Sequence, residues 1–349
     1  MSHRSNRREF IAGTAAAAAG WILPRTTSLV QAQAPKPRRV DVHHHLISPA
    51  WKAQLKKWQG LGRLIQGYET HQSYDPAKDL ESMDMGGVEV SYLSVTTPGM
   101  WFGDIDETRR VVRAQNEYGA QLVQQYRGRF GHFATVPLPD VEASLREIEY
   151  ALDTLKADGI SFVTSYGDRW LGDKTFAPMW EELNRRKAVV YTHATAPGCC
   201  YNGNFVEAIA GPIPIEFNSD LARSIASIIS SGTAAKTPDV KYIWSHGGGS
   251  IWAQRFISAN DLAAPADPKS KMYHLRRFYY DTAAANDSLH IAILKLAVPM
   301  SQILFGTDYP WGDARNITAG LQKSNLTAEE IRAIDRENAL KVFPQLARS

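Results

Sequence analysis

A chain of 349 residues that is 44% hydrophobic and 21% charged can build one large domain with a substantial core, and its length would also hold two. Its formal net charge of +3 is too small to argue for nucleic acid or an anionic membrane as a partner, and no long charge run or aromatic-basic RNA motif is present. Its two cysteines, Cys199 and Cys200, are adjacent, and vicinal cysteines rarely bridge because the disulfide strains the peptide between them. They read as a small packing pair at a pocket wall rather than as thiolate ligands.

Residues 1–34 do not read as fold. Arg7 and Arg8 precede an alanine-rich apolar stretch that runs to about Leu23, and small residues follow at Val30-Gln31-Ala32 and Ala32-Gln33-Ala34. A charged start, a short apolar run and a small-residue cleavage site predict an export signal of the twin-arginine type, removed on the way to the periplasm. Cleavage after Ala32 is favoured, because Pro35 would directly follow a cut after Ala34. The apolar run is too short to span a bilayer and no later segment reaches membrane-spanning length, so stable membrane insertion is not expected. Residues 35–349 are expected to form a single catalytic domain.

From residue 38 onward, short apolar runs alternate with helical patterns. Strands are predicted at 38–46, 88–96, 130–137, 159–166, 188–194, 240–246, 278–283 and 301–307. Helices are predicted at about 105–127, 175–187, 218–231, 288–297 and 327–342, with a further one after Asp140. There Val141, Leu145, Ile148, Leu152 and Leu155 share one face and Asp140 can cap the start. Eight strands alternating with helices predict a closed α/β fold, a (β/α)8 barrel of TIM type. A doubly wound open sheet is the competing reading, but no glycine-rich phosphate loop follows the first strand. Two connections are long, 47–79 after the first strand and 195–217 after the fifth. They carry Trp51, Trp58, Tyr68, Tyr74, Tyr201 and Phe205, a composition that argues for lids and pocket walls rather than disorder.

The chemistry concentrates at the C-terminal ends of the predicted strands, where active sites of this barrel lie. Val40-Asp41-Val42-His43-His44-His45 places Asp41, His43 and His45 on one face of a strand and His44 on the other. Two imidazoles two residues apart can grip one ion. The fifth strand ends in Thr192-His193 and the sixth in Ser245-His246-Gly247-Gly248-Gly249, whose glycines allow close backbone approach. The eighth ends in Gly306-Thr307-Asp308-Tyr309-Pro310. His44 is expected to pack on the outer face. His71, His132, His274 and His290 are expected to be structural or solvent-facing, and His3 lies in the signal.

The paired histidines, the fifth-strand histidine, HGGG and GTDYP, in this order and at barrel spacing, resemble the amidohydrolase superfamily. They resemble in particular its branch of aminocarboxymuconate-semialdehyde decarboxylase and related aromatic-acid decarboxylases, including those of hydroxylated benzoates such as 6-methylsalicylate. The likeness runs from about residue 38 to the end and includes Pro137-Leu138-Pro139 and Asn338-Ala339-Leu340. It implies that His43, His45, His193 and Asp308 bind one divalent metal, usually zinc and sometimes manganese. It implies that His246 and Asp308 act in catalysis; the plainer role for His246 is to orient its neighbours. It also implies a homodimer, with no interface legible in the sequence. The fourth strand, Gly159 to Tyr166, lacks the lysine that bridges two metals in other superfamily members, which implies a mononuclear site.

Thr70, His71, Gln72 and Ser73 stand where the aminocarboxymuconate enzyme carries substrate-holding arginines, and Arg255 lies closer to His246 than its counterpart does. A flat ring is therefore expected rather than a dicarboxylate. Trp101, Phe102, Tyr166, Trp170 and Arg255 are the candidate contacts for this small carboxylic acid. The expected reaction is non-oxidative decarboxylation of an aromatic or enolic acid. Two alternatives are a mononuclear metal hydrolase acting on a lactone or ester, and a periplasmic metal-binding protein without turnover.

Overall fold

The computed structural model describes residues 38–62, 65–101, 103–197 and 213–348. The predicted signal, Phe102, Cys199, Cys200, Tyr201 and Phe205 lie outside the described residues. From residue 38 on, the chain forms one compact unit.

Its centre is an eight-stranded parallel sheet of β1 (Arg39–His45), β2 (Val88–Ser94), β3 (Phe130–Thr135), β4 (Gly159–Val163), β7 (Val189–His193), β8 (Lys241–Trp244), β9 (Tyr279–Asp281) and β10 (Ile303–Leu304), neighbours in that order. Val42 N donates to Phe305 O at 3.0 Å and His45 N to Tyr309 O at 2.9 Å. Together with a parallel bridge between His44 and Tyr309, these bonds draw the last strand against the first and nearly close the barrel. An antiparallel hairpin, β5 (Ser165–Tyr166) and β6 (Arg169–Trp170), sits after β4; its first arm, Ser165–Tyr166, falls within the range expected for the fourth strand.

The helices start where polar caps meet apolar periodicity. Asp104 accepts from Glu107 N at the start of Ile105–Gln125, and Asp140 accepts from Ala143 N at the start of Val141–Glu149, which satisfies amide donors that have no partner within the helix. The connection after β1 departs from the expectation of a long loop. It holds helices at Pro49–Gly60, Tyr68–Ser73 and Pro76–Gly86, and the first begins with Ser48 accepting from Trp51 N and a proline in its first turn. His71 is therefore helical and fully buried. Among the described residues no helix is long and apolar enough to cross a membrane.

The far end of the barrel is filled by an aromatic stack. Phe343 lies 4.1 Å from Tyr92, Tyr92 lies 5.0 Å from Phe133, and Phe133 lies 5.6 Å from Tyr191. Tyr191 in turn packs edge-on against His43 at 5.4 Å. The segment that supplies Phe343 is tied to the strand starts: Lys241 Nζ donates to Val342 O and Gln345 Nε2 to Asp158 Oδ1.

Candidate active site

Four strand ends converge at the opposite mouth. His43 Nε2 and His45 Nε2 are 3.2 Å apart. Asp308 Oδ1 lies 3.0 Å from His43 Nε2, 2.9 Å from His45 Nε2 and 3.6 Å from His193 Nε2. His246 joins them: one donor atom from each of His43, His193, His246 and Asp308 falls within 4.8 Å of the others. The expected quartet of His43, His45, His193 and Asp308 is thus brought together, with His246 as a fifth group at the same point.

His193 is buried, and neither of its ring nitrogens has a hydrogen-bond partner. Buried polar atoms are rarely left so, and lone pairs crowded at these distances become favourable around a shared cation. Imidazole and carboxylate donors suit a divalent transition metal. The residues present fit one ion.

The backbone is shaped to make this convergence. His246 has φ 51° and Asp308 φ 63°, left-handed values that non-glycine residues adopt mainly in constrained sites. Gly247, Gly248 and Gly249 continue the turn at φ 62°, 81° and 60°, and a Cβ on Gly249 would stand 2.5 Å from Asn218 O. Gly306 leaves room below the site, where a Cβ would approach Asp281 Cβ to 2.8 Å and His43 Cβ to 2.9 Å.

Asp281, at the end of β9, went unnoticed in the sequence. Its Oδ2 lies 2.9 Å from His43 Nδ1, bent from a linear hydrogen bond, and its Oδ1 accepts from His246 N at 3.0 Å and Ala283 N at 3.1 Å. It holds His43 with Nε2 toward the cluster, a common arrangement behind ligating histidines. Its position after Tyr279-Tyr280, at the same end of its strand as the other groups, was the signal that could have found it. Asp41, expected on the same face as His43, accepts instead from Thr307 N, Thr307 Oγ1 and His43 N, and contacts His44 Nδ1. The pairing of β1 with β2 shifts between Asp41 and His44, which breaks strict alternation there. His44 is buried away from the cluster, stacked on Tyr309 at 4.8 Å and 3.5 Å from Asp79.

The electrostatics are nearly those of a metal site. Burial raises and the neighbouring imidazoles, His43 foremost, lower the pKa of Asp308, which ends well below the usual carboxylate range. Burial pushes His45 and His193 down, and His246 down to about 4. His43 is the exception: burial opposes its charge, but Asp281 and Asp308 outweigh it and raise the pKa to about 10. A bound cation requires that proton to leave.

Above the cluster is a pocket of about 360 Å³ including its open mouth, lined by Gln66, Thr96, Thr97, His193, Phe217, His246, Asp308 and Trp311. The described ones among the expected substrate contacts do not line it. Trp101 and Tyr166 line a separate hollow beside Val95 and Val163, and the Tyr166 hydroxyl accepts from Val163 N. Trp170 Nε1 donates to Asp220 Oδ1 at 2.6 Å, and Arg255 is exposed. The polar tips of Tyr166 and Trp170 are satisfied by the protein itself, which packs the β5–β6 hairpin instead of presenting it. The aromatic walls that do line the pocket are Trp311 and Phe217, which sequence reasoning missed.

Residues 40–345 match the Amidohydrolase family. The decarboxylase yanB of Aspergillus niger is 33% identical over 326 residues, 88% of each chain. The 6-methylsalicylic acid decarboxylase of Penicillium expansum is 30% identical over 325 residues, 88% of this chain and 97% of that one. Among solved structures, a dihydroxybenzoic acid decarboxylase from Polaromonas with bound manganese and the inhibitor 2-nitroresorcinol has a TM-score of 0.76 at 20% identity, covering 89% of this chain and 98% of that one. At that identity the structural likeness is one of fold. The barrel and the order of its motifs agree with the family match and with the relatives' identity over most of their length, and the chain belongs to the amidohydrolase family.

Proposed function

We propose that this protein is a metal-dependent, non-oxidative decarboxylase of hydroxylated aromatic carboxylic acids. The observation that carries the reading is the pocket's asymmetry. Among its described lining residues none is a lysine or arginine, and its histidines and Asp308 form a single cluster. A cation held by that cluster would be the group that takes a substrate carboxylate, with Trp311 and Phe217 as the walls for its ring. The decarboxylase activity of relatives at 30 and 33% identity supports the same reading.

His43, His45, His193 and Asp308 would hold the ion, with Asp281 orienting His43. This donor set would accept manganese as well as the zinc expected from the sequence, and manganese is the ion bound in the dihydroxybenzoic acid decarboxylase of the same fold. When bound, such an ion supplies Lewis acidity toward the carboxylate and its neighbouring hydroxyl oxygen.

His246 moves the proton. Its Nδ1 faces Ala283 O at 3.3 Å, which leaves Nε2 for the pocket. Nε2 accepts the proton of the hydroxyl beside the carboxylate and delivers it to the ring carbon that bears the carboxylate. The carbon–carbon bond then breaks, its electron pair returns to the ring, carbon dioxide leaves, and the phenolate takes a proton from water. Asp308, with three imidazole nitrogens within 3.6 Å of one oxygen, serves as ligand rather than proton carrier. Proton transfer by a placed group contributes about 10²–10⁴-fold, and the remainder comes from orientation and electrostatics.

The test is to incubate metal-loaded protein with hydroxybenzoates in deuterated water and follow products by mass. The expected result is carbon dioxide and a phenol carrying one ring deuterium. An acid formed from a lactone or ester without loss of carbon would make the protein a hydrolase, and metal binding without any conversion would make it a binding protein.

A further inference from the structure

Two polar atoms in the pocket wall have nothing to bond to. Thr96 is 1% exposed and its Oγ1 has no hydrogen-bond partner; Gln66 Oε1 is likewise buried and unpartnered. Both residues line the pocket that contains His193, His246 and Asp308. An unmatched buried hydroxyl or amide oxygen costs roughly 1–3 kcal/mol, so such atoms in a cavity wall point to a ligand that completes them.

The segments bearing these atoms are held by a built arrangement. Next to Gln66 and Thr96 stand Gly67 and Thr97, and the buried His71 ring lies between their carbonyls, Nδ1 2.7 Å from Gly67 O and Nε2 3.0 Å from Thr97 O. Trp311 covers the ring at 5.0 Å and presses so closely on Gly67 that a Cβ there would meet its Nε1 at 2.7 Å. Thr97 Oγ1 is in turn bonded to Thr195 Oγ1 at 3.1 Å. The two free atoms therefore stand on backbone clamped from three sides, not on wandering loops.

We propose that Gln66 and Thr96 form a neutral hydrogen-bonding subsite that reads a second hydroxyl on the substrate ring, beyond the one beside the carboxylate. This rests on the decarboxylase reading and narrows its substrate class to polyhydroxylated aromatic monocarboxylic acids. Gln66 Oε1 accepts the hydroxyl proton, and Thr96 Oγ1 can donate to or accept from the same kind of group. A hydroxyl, both donor and acceptor, can complete both atoms, whereas a carboxylate, which offers only acceptors, leaves Gln66 Oε1 unmatched in this amide orientation. A site built around a substrate hydroxyl discriminates strongly against the analogue that lacks it.

The experiment compares wild type, Gln66→Leu and Thr96→Val, each loaded with manganese. kcat/KM is measured on 2-hydroxybenzoate and on the isomeric 2,x-dihydroxybenzoates, and affinity for phenol and resorcinol by calorimetry. Wild type is expected to prefer at least one dihydroxy acid. Each substitution should cut that ratio about tenfold, as for loss of one hydrogen bond, with manganese stoichiometry retained and Thr96→Ser restoring the ratio. No preference in wild type, or unchanged ratios in both variants, overturns the subsite. Should wild type release no carbon dioxide from any acid, the decarboxylase reading fails, and the resorcinol-to-phenol affinity ratio still decides the subsite.

Discussion

Asp281 Oδ2 lies 2.9 Å from His43 Nδ1, and the other oxygen of the same carboxylate accepts the backbone N–H of His246. One side chain thus positions both the His43 imidazole and the backbone of His246. Asp281→Asn keeps the shape but removes the charge that favours Nδ1–H. Metal affinity should fall about 10–100-fold, read by competition with a chromophoric chelator. An unchanged affinity would leave Asp281 a packing residue.

Metal uptake should release a proton. With His43 raised to about 10 by Asp281 and Asp308, the imidazole is protonated at neutral pH on the protein's own charges, whereas a cation binds only its neutral form. Affinity therefore rises with pH until His43 has lost its proton, near pH 10. Calorimetry in buffers of different ionisation enthalpy should report close to one proton per ion at neutral pH. A flat affinity from pH 6 to pH 9 would contradict the assignment.

His246→Gln separates chemistry from binding. If His246 is the proton carrier, kcat falls about 10²–10⁴-fold while manganese content and KM change little. A parallel loss of metal would instead make His246 a ligand, a role its proximity to His193 and Asp308 also permits.

Asp220 is a structural test outside the cluster of histidines and Asp308. It is fully buried and accepts from Thr164 Oγ1, Ser165 Oγ and Trp170 Nε1 at 2.6–2.8 Å. Asp220→Ala strands all three donors and should destabilise the protein by about 3 kcal/mol in chemical denaturation. Metal affinity should fall far less than with Asp281→Asn, because Asp220 reaches the cluster only indirectly, through Thr164, whose backbone N donates to His193 O.

Export is open to direct measurement. We propose that residues 1–34 route the chain through the twin-arginine pathway, so replacing Arg7 and Arg8 together by lysine should retain unprocessed protein inside the cell. Fractionation with N-terminal sequencing checks it, and normal processing of the double variant would rule it out.

The barrel was legible because its strands are β-branched and aromatic runs whose last residues carry the chemistry, so that His43, His45, His193, His246 and Asp308 could be read as one end of one barrel. The helix at Pro49–Gly60 was misread as loop although Ser48 and Pro49 announce it; its two tryptophans drew attention as pocket walls, and both are buried in the core. Asp281 was missed because β9 has only three residues and a lone aspartate makes no motif. The substrate wall was beyond a local reading. Which side of its loop Trp311 or Trp101 presents depends on partners far away in the chain, such as His71 for Trp311.

The ring column from Phe343 to Tyr191 gives the C-terminal segment a duty at the opposite end of the molecule. Cutting the chain back past Phe343 would bare the Tyr92 ring and loosen a column that ends, through Phe133 and Tyr191, against His43. Purification tags for this protein are better joined beyond Leu346 through a flexible spacer than grafted onto a trimmed terminus.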